Sequence, residues 1–244
     1  MSNQKLYNEL LDSLTNGNTM SSLFIENFIN FIVKKYDLSK NISYIDLFSD
    51  IARDKNQPAV GAYDFISGNF FTDYTAYTIK NKDKNIKNNI NFLKACLHEL
   101  THSWQREMIA DNEAMNNYQS FHNNLLYSLE ILKYDYNFYY DHHDEFAFEY
   151  QAIILSNYKM LELYDLLKLD DLADEANKRI CNLILEFYEN KSPIEKSIDV
   201  VNNYYNTNIE FVDLNNKDEF TRAMYGYPLK DETLYEAEKI LKKK

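Results

Sequence analysis

The sequence predicts a mainly helical chain of the α+β class, and three observations carry that prediction. Only four Gly and three Pro interrupt 244 residues, so few positions force a break in a helix. Apolar residues recur at spacings of three and four along most of the chain, the period of a helix with one buried face. Val, Ile, Thr and aromatic residues cluster beside a turn signal in one stretch only, residues 59–80.

The elements follow in order. Residues 4–15 and 20–36 read as helices, the second led by Ser21 and Ser22 as caps and striped by Leu23, Phe24, Phe28, Phe31 and Ile32. Beyond Pro58, AVGAYDFIS and NFFTDYTAYTIK read as a strand pair turned by Ser67-Gly68-Asn69. A helix over 90–110 follows from Leu93, Leu97, Leu100, Trp104 and Met108. Further helices are expected at 114–133, 144–167, 170–189 and 192–205, with a short one from Asp231. No repeat or flexible linker divides the chain, so one domain over 1–244 is expected, with helical segments at 1–55 and 170–244 flanking its centre.

Composition narrows the function. With 45% hydrophobic and 26% charged residues the chain is of ordinary globular make-up, and its length supports a core without help from a metal. A formal charge of −12 and a pI near 4.9 argue against nucleic acid and anionic membrane surfaces as partners. The N-terminal residues lack the apolar core of a signal peptide, and the run LFIENFINFIV is broken by Glu26, Asn27 and Asn30. Cys96 and Cys181 lack the close spacing of a metal or redox pair, and two cysteines suit a reducing compartment. A cytoplasmic chain without a membrane span is expected.

The chemistry concentrates in His98-Glu99-Leu100-Thr101-His102, an H-E-x-x-H pattern inside the helix expected at 90–110. Four residues is just over one helical turn, so both imidazoles leave the same side and can meet one ion at about 2.0–2.1 Å. Glu99 lies about 100° round the helix from His98, which suits it to a general base acting on water and not to a third ligand. Zinc matches such a site, because water bound to it loses a proton near neutral pH. Cys96 falls on the opposite side of the helix from His98 and reads as a small buried residue.

The stretch HELTHSWQ resembles the active-site helix of the zincin metalloproteases. The resemblance extends to the helix expected at 144–167 and, more loosely, to the preceding strand pair. It implies a zincin-like domain in which a small sheet precedes the metal helix and a second helix brings an acid. Gln105 and Met108 stand where the metzincin branch requires Gly and His, so the resemblance is to the gluzincins, whose third ligand is a downstream glutamate.

Two glutamates answer that description in HHDEFAFEYQAIILS. Glu149 matches E-x-x-A through Ala152 and is the favoured third ligand; Glu145 matches the alternative arrangement with an acid four residues on. The other acid is then a partner that orients a histidine. Glu145, Glu149, Ala152 and Ser156 form one stripe, carboxylates first and small residues after, which allows close approach of a second helix. His142 and His143 are lesser candidates for the same role.

The resulting expectation is a zinc metallopeptidase acting on a peptide or protein substrate, with His98, His102 and Glu149 as metal ligands and Glu99 as base. The strand pair would take an extended peptide by strand addition. Tyr134, Tyr136, Tyr139, Tyr140 and His122 are candidates for stabilising an oxyanion. Two alternatives stand beside it: a catalytically inactive zincin-like domain that binds a protein partner, and a helical interaction protein without metal.

Overall fold

The computed structural model describes residues 3–49, 61–110, 135–143, 146–189 and 193–207. The fold is mostly helical with one three-stranded sheet, as the sequence predicts. Two compact units partition the chain: Met1–Arg106 with Glu162–Asp170, and Glu107–Leu161 with Asp171–Lys244. The helices expected at 114–133 and from Asp231, and residues 59 and 60 of the strand region, lie outside the described residues.

The first unit opens with α1 (Asn3–Thr15) and α2 (Ser22–Lys35) packed together. Helix α1 buries Leu6, Leu10 and Leu14, one residue per turn. Helix α2 starts where Ser21 accepts a hydrogen bond from the Phe24 amide at 3.1 Å, the N-cap expected from sequence. Its buried face is Phe24, Ile25, Phe28, Ile29 and Ile32, while Leu23 stays 59% exposed. The stripe is thus rotated from the predicted one, because two isoleucines displace Leu23 and Phe31 from the core.

Strand β1 (Tyr44–Asp46), β2 (Gly61–Asp64) and β3 (Asn69–Thr72) form the sheet in the order β1-β3-β2. Strand β3 is central, parallel to β1 and antiparallel to β2, with Tyr63 opposite Phe70 and Gly61 opposite Thr72. These four residues alternate with half-buried neighbours and make the inner face. The β2–β3 turn forms because Asp64 accepts from the Ile66 amide at 2.9 Å and Gly68 takes a left-handed φ of 74°. Strand β1 was not expected; three residues are too few to show a period of two.

The strand pattern also stops earlier than predicted. Asp73 accepts from the Ala76 amide at 2.8 Å and caps a short helix, α3 (Tyr74–Lys80), in place of a strand running to residue 80. A cap that satisfies an otherwise unpaired amide here outweighs the strand preference of Tyr and Thr, which depends on packing. Helix α3 turns Tyr77 inward, where it packs on Phe92 with centroids 4.2 Å apart.

Helix α4 (Ile86–Ala110) carries the H-E-x-x-H pattern. It begins four residues before the predicted start, because Asn85 accepts from the Lys87 amide at 2.9 Å and the Asn88 amide at 3.3 Å. Phe92, Leu93, Cys96, Leu97 and Leu100 pin it into the core. A buried polar network fixes its first turns. Asn89 donates to the carbonyls of Ser13 at 2.8 Å and Asn18 at 2.9 Å, and accepts from the Tyr77 hydroxyl at 2.6 Å. The Tyr77 oxygen in turn accepts from the Met20 amide at 2.9 Å.

The second unit contains α5 (Tyr136–Asp141), most of α6 (Ala147–Leu167), α7 (Asp170–Glu189) and α8 (Pro193–Tyr205). Helix α7 presents Ala173, Ala176, Ile180 and Leu183 inward, at spacings of three and four. Helix α6 is buried on nearly every side from Glu149 to Met160, and its tyrosine Tyr150 donates to the Leu183 carbonyl of α7 at 3.1 Å. Its end from Glu162 belongs to the first unit, where Lys35 and Tyr36 both bond the Glu162 carboxylate, the lysine at 2.9 Å. Among the described residues no helix is long and apolar enough to cross a membrane.

Candidate metal centre

His98, Glu99 and His102 stand together on α4, and each offers one ligand atom within 4.8 Å of the others. Among the described residues they are the cluster able to hold a metal ion. The two histidines converge: His98 Nε2 and His102 Nε2 lie 3.1 Å apart, with ring centroids 4.7 Å apart and planes at 89°. Two nitrogens bound to one tetrahedral zinc at 2.0–2.1 Å stand about 3.3 Å apart. The spacing therefore fits a shared ion to within a few tenths of an ångström.

His102 is further prepared by its neighbour one turn on. Its Nδ1–H donates to Gln105 Oε1 at 2.7 Å, and both side chains are buried. That bond places the proton on Nδ1 and leaves Nε2 with a lone pair directed at His98, the form a metal-bound imidazole needs. Phe65, from the β2–β3 turn, flanks the same ring with centroids 5.4 Å apart. His98 and Glu99 are half-buried, which keeps the centre within reach of solvent.

Glu99 lies against strand β2. A Cβ built on Gly61 would stand 3.1 Å from Glu99 Cγ and 3.3 Å from the Phe71 carbonyl. The glycine is what lets the carboxylate stem pass so close to the strand. Among the described residues β2 pairs on one side only, with β3, and Glu99 adjoins the face of β2 on which a Gly61 side chain would stand.

Cys96 is buried at 1% exposure, and burial, reinforced by the Glu99 carboxylate, pushes its thiol well above the ordinary range. Cys96 packs in the core and stands outside the His98, Glu99 and His102 group, in keeping with its helical position. Cys181 is likewise buried and forms no disulfide.

Glu149 belongs to the second unit, in the first turn of α6. It is 2% exposed, and its Oε1 lies 3.1 Å from His143 Nε2. A solvated acidic face is thereby excluded for this residue, and a buried carboxylate requires such partners. Ala152 and Ser156, the small residues of the same stripe, are buried as well. Glu145, His122 and Tyr134 lie outside the described residues, as do the side chains of Tyr136, Tyr139 and Tyr140.

Sequence reading missed Gln105, Phe65, Gly61 and Arg106 as members of this neighbourhood. Gln105 was legible in principle, since it lies three residues past His102 and so on the same face. Arg106, four residues past His102, shares that face, whereas Phe65, Gly61 and the carbonyls that Arg106 bonds come from distant positions, through contacts that no local spacing encodes. Comparison of the chain with protein-family models, with curated proteins and with solved structures finds no match in any of the three.

Proposed function

We propose that the chain is a zinc metallopeptidase of the zincin type, gluzincin-like, acting on a peptide or protein substrate. The observation that carries this reading is the pair of converging imidazole nitrogens, 3.1 Å apart, with the His102 proton held on Nδ1 by Gln105.

His98 and His102 would hold the ion, with Glu149 as third ligand and Glu145 as the alternative, on the strength of the resemblance of their helix to the glutamate helix of gluzincins. Bound zinc supplies a water of lowered pKa and an electrophile that polarises a carbonyl oxygen. Glu99, its carboxylate within 4.8 Å of both histidine nitrogens, would serve as the base that takes a proton from the attacking water and returns it to the leaving amine. Gln105 keeps His102 in its metal-binding tautomer, and Gly61 keeps the approach to Glu99 open. The edge of β2 that carries no strand among the described residues would receive an extended peptide as an added strand.

Elemental analysis of untagged protein, paired with hydrolysis of an unfolded protein substrate by the parent and by Glu99→Gln, tests the reading. One zinc per chain and loss of hydrolysis in the variant are expected. Well under one zinc, with no change of melting temperature on adding it, would leave the histidines structural; hydrolysis undiminished in Glu99→Gln would defeat the assigned base.

A further inference from the structure

One side chain ties the metal helix to the β2–β3 turn. Arg106 follows His102 by four residues on α4; its Nη2 donates to the Ile66 carbonyl at 3.0 Å and its Nη1 to the Asn41 carbonyl at 3.3 Å. The Tyr63 hydroxyl donates to that same Asn41 carbonyl at 2.6 Å, and the Ser43 amide to the Gly68 carbonyl at 2.8 Å. Gly68 makes room for the arginine: at its φ of 74° a Cβ would overlap Arg106 Nη1 and stand 2.8 Å from the Asn41 oxygen. Two carbonyls in fixed directions call for the planar fork of a guanidinium, whereas an ammonium reaches one at a time.

The turn held in this way carries Phe65, whose ring lies between Tyr63, at 5.5 Å, and His102, at 5.4 Å. His102 is therefore confined from two directions, by Gln105 on Nδ1 and by Phe65 against the ring. A ring already confined loses less freedom when an ion binds it.

We propose that Arg106 is a positioning residue of the metal centre, clamping the β2–β3 turn to α4 so that Phe65 holds the His102 ring ready for the ion. The inference rests on the zinc reading of His98 and His102. Arg106 touches no reacting atom; its influence passes through the turn.

Zinc affinity, measured by competition with a chromophoric chelator, tests the clamp in the parent, Arg106→Ala, Arg106→Lys, Phe65→Ala and the double Arg106→Ala/Phe65→Ala variant. Melting temperatures of the metal-free proteins are recorded alongside. Each alanine variant is expected to bind zinc about tenfold more weakly. The double variant is expected to bind about as weakly as the worse single one, since both substitutions release the same ring. Arg106→Lys should fall between, because it recovers one carbonyl contact. A lower melting temperature with unchanged zinc affinity in Arg106→Ala would make the arginine a stabilising residue only and overturn the proposal, as would losses that simply multiply in the double variant. If Arg106→Ala does not fold, Arg106→Lys decides: parental affinity there overturns the clamp. A parent that binds no zinc defeats the metal reading and the clamp with it, whereas normal binding by the parent and by every Arg106 variant defeats the clamp alone.

Discussion

Gly61 and Glu99 are in contact across the boundary between sheet and metal helix: the glycine lacks the one atom that would press on the glutamate stem, at 3.1 Å from Cγ. On the proposed reading that relationship would separate metal binding from proton transfer, because Gly61 adjoins Glu99 and the candidate ligand nitrogens belong to His98 and His102.

Gly61→Ala should therefore displace the Glu99 carboxylate and leave the histidines in place. Hydrolysis is expected to fall by about tenfold to a hundredfold, the effect of moving a reacting group by a fraction of an ångström to an ångström. Zinc content, measured on the same preparation, should stay at the parental level. A joint loss of both would mean that strand β2 also supports the ligands.

Gln105→Leu removes the acceptor for His102 Nδ1–H at nearly the same volume. Zinc affinity should drop by about tenfold to a hundredfold, the usual consequence of losing the partner of a ligating histidine. Gln105→Glu keeps an acceptor and should retain most of the parental affinity. Equal affinity in the leucine variant would show that the 2.7 Å bond does not select the tautomer.

Binding of the ion must stabilise the folded state. At zinc about one hundredfold above its dissociation constant the gain is about 2.7 kcal/mol. Thermal unfolding with and without zinc should show the corresponding rise in melting temperature in the parent and none in His98→Ala or His102→Ala.

The Tyr77 hydroxyl links Met20 to Asn89 inside the core of the first unit. Tyr77→Phe leaves both groups buried without that partner, at an expected loss of about 1–3 kcal/mol in denaturant unfolding. Burial also pushes the Tyr77 hydroxyl up to about 12 from its ordinary 10.0. Below pH 10 the residue is protonated in both folded and unfolded chains, and its contribution is complete. Between about 10 and 12 the unfolded chain releases the proton first, so stability falls as pH rises through this window. The phenylalanine variant should lack that component of the alkaline slope.

Local pattern accounts for much of what was legible in advance. The helices at 4–15, 20–36, 170–189 and 192–205 agree with Asn3–Thr15, Ser22–Lys35, Asp170–Glu189 and Pro193–Tyr205 to within a residue or two, because each has a strong period or a clear cap. Two misreadings share a cause. Asp73 redirected the strand-like YTAYTIK into α3, and Ile25 and Ile29 turned α2 away from Leu23. In both, a single capping bond or a choice between equally apolar faces decided the outcome, and a periodic count is blind to each.

The sequence by itself determined that two imidazoles and a carboxylate share one helix at a spacing that lets the imidazoles meet an ion, since helical geometry follows from position along the chain. Tertiary structure decided what meets that helix face from distant positions in the chain. Gly61 at Glu99, Phe65 at His102 and Arg106 across to Asn41 and Ile66 join residues 37 to 65 positions apart. Such contacts arise from how the turn packs on α4, and packing depends on shape complementarity between distant segments, which no local spacing records.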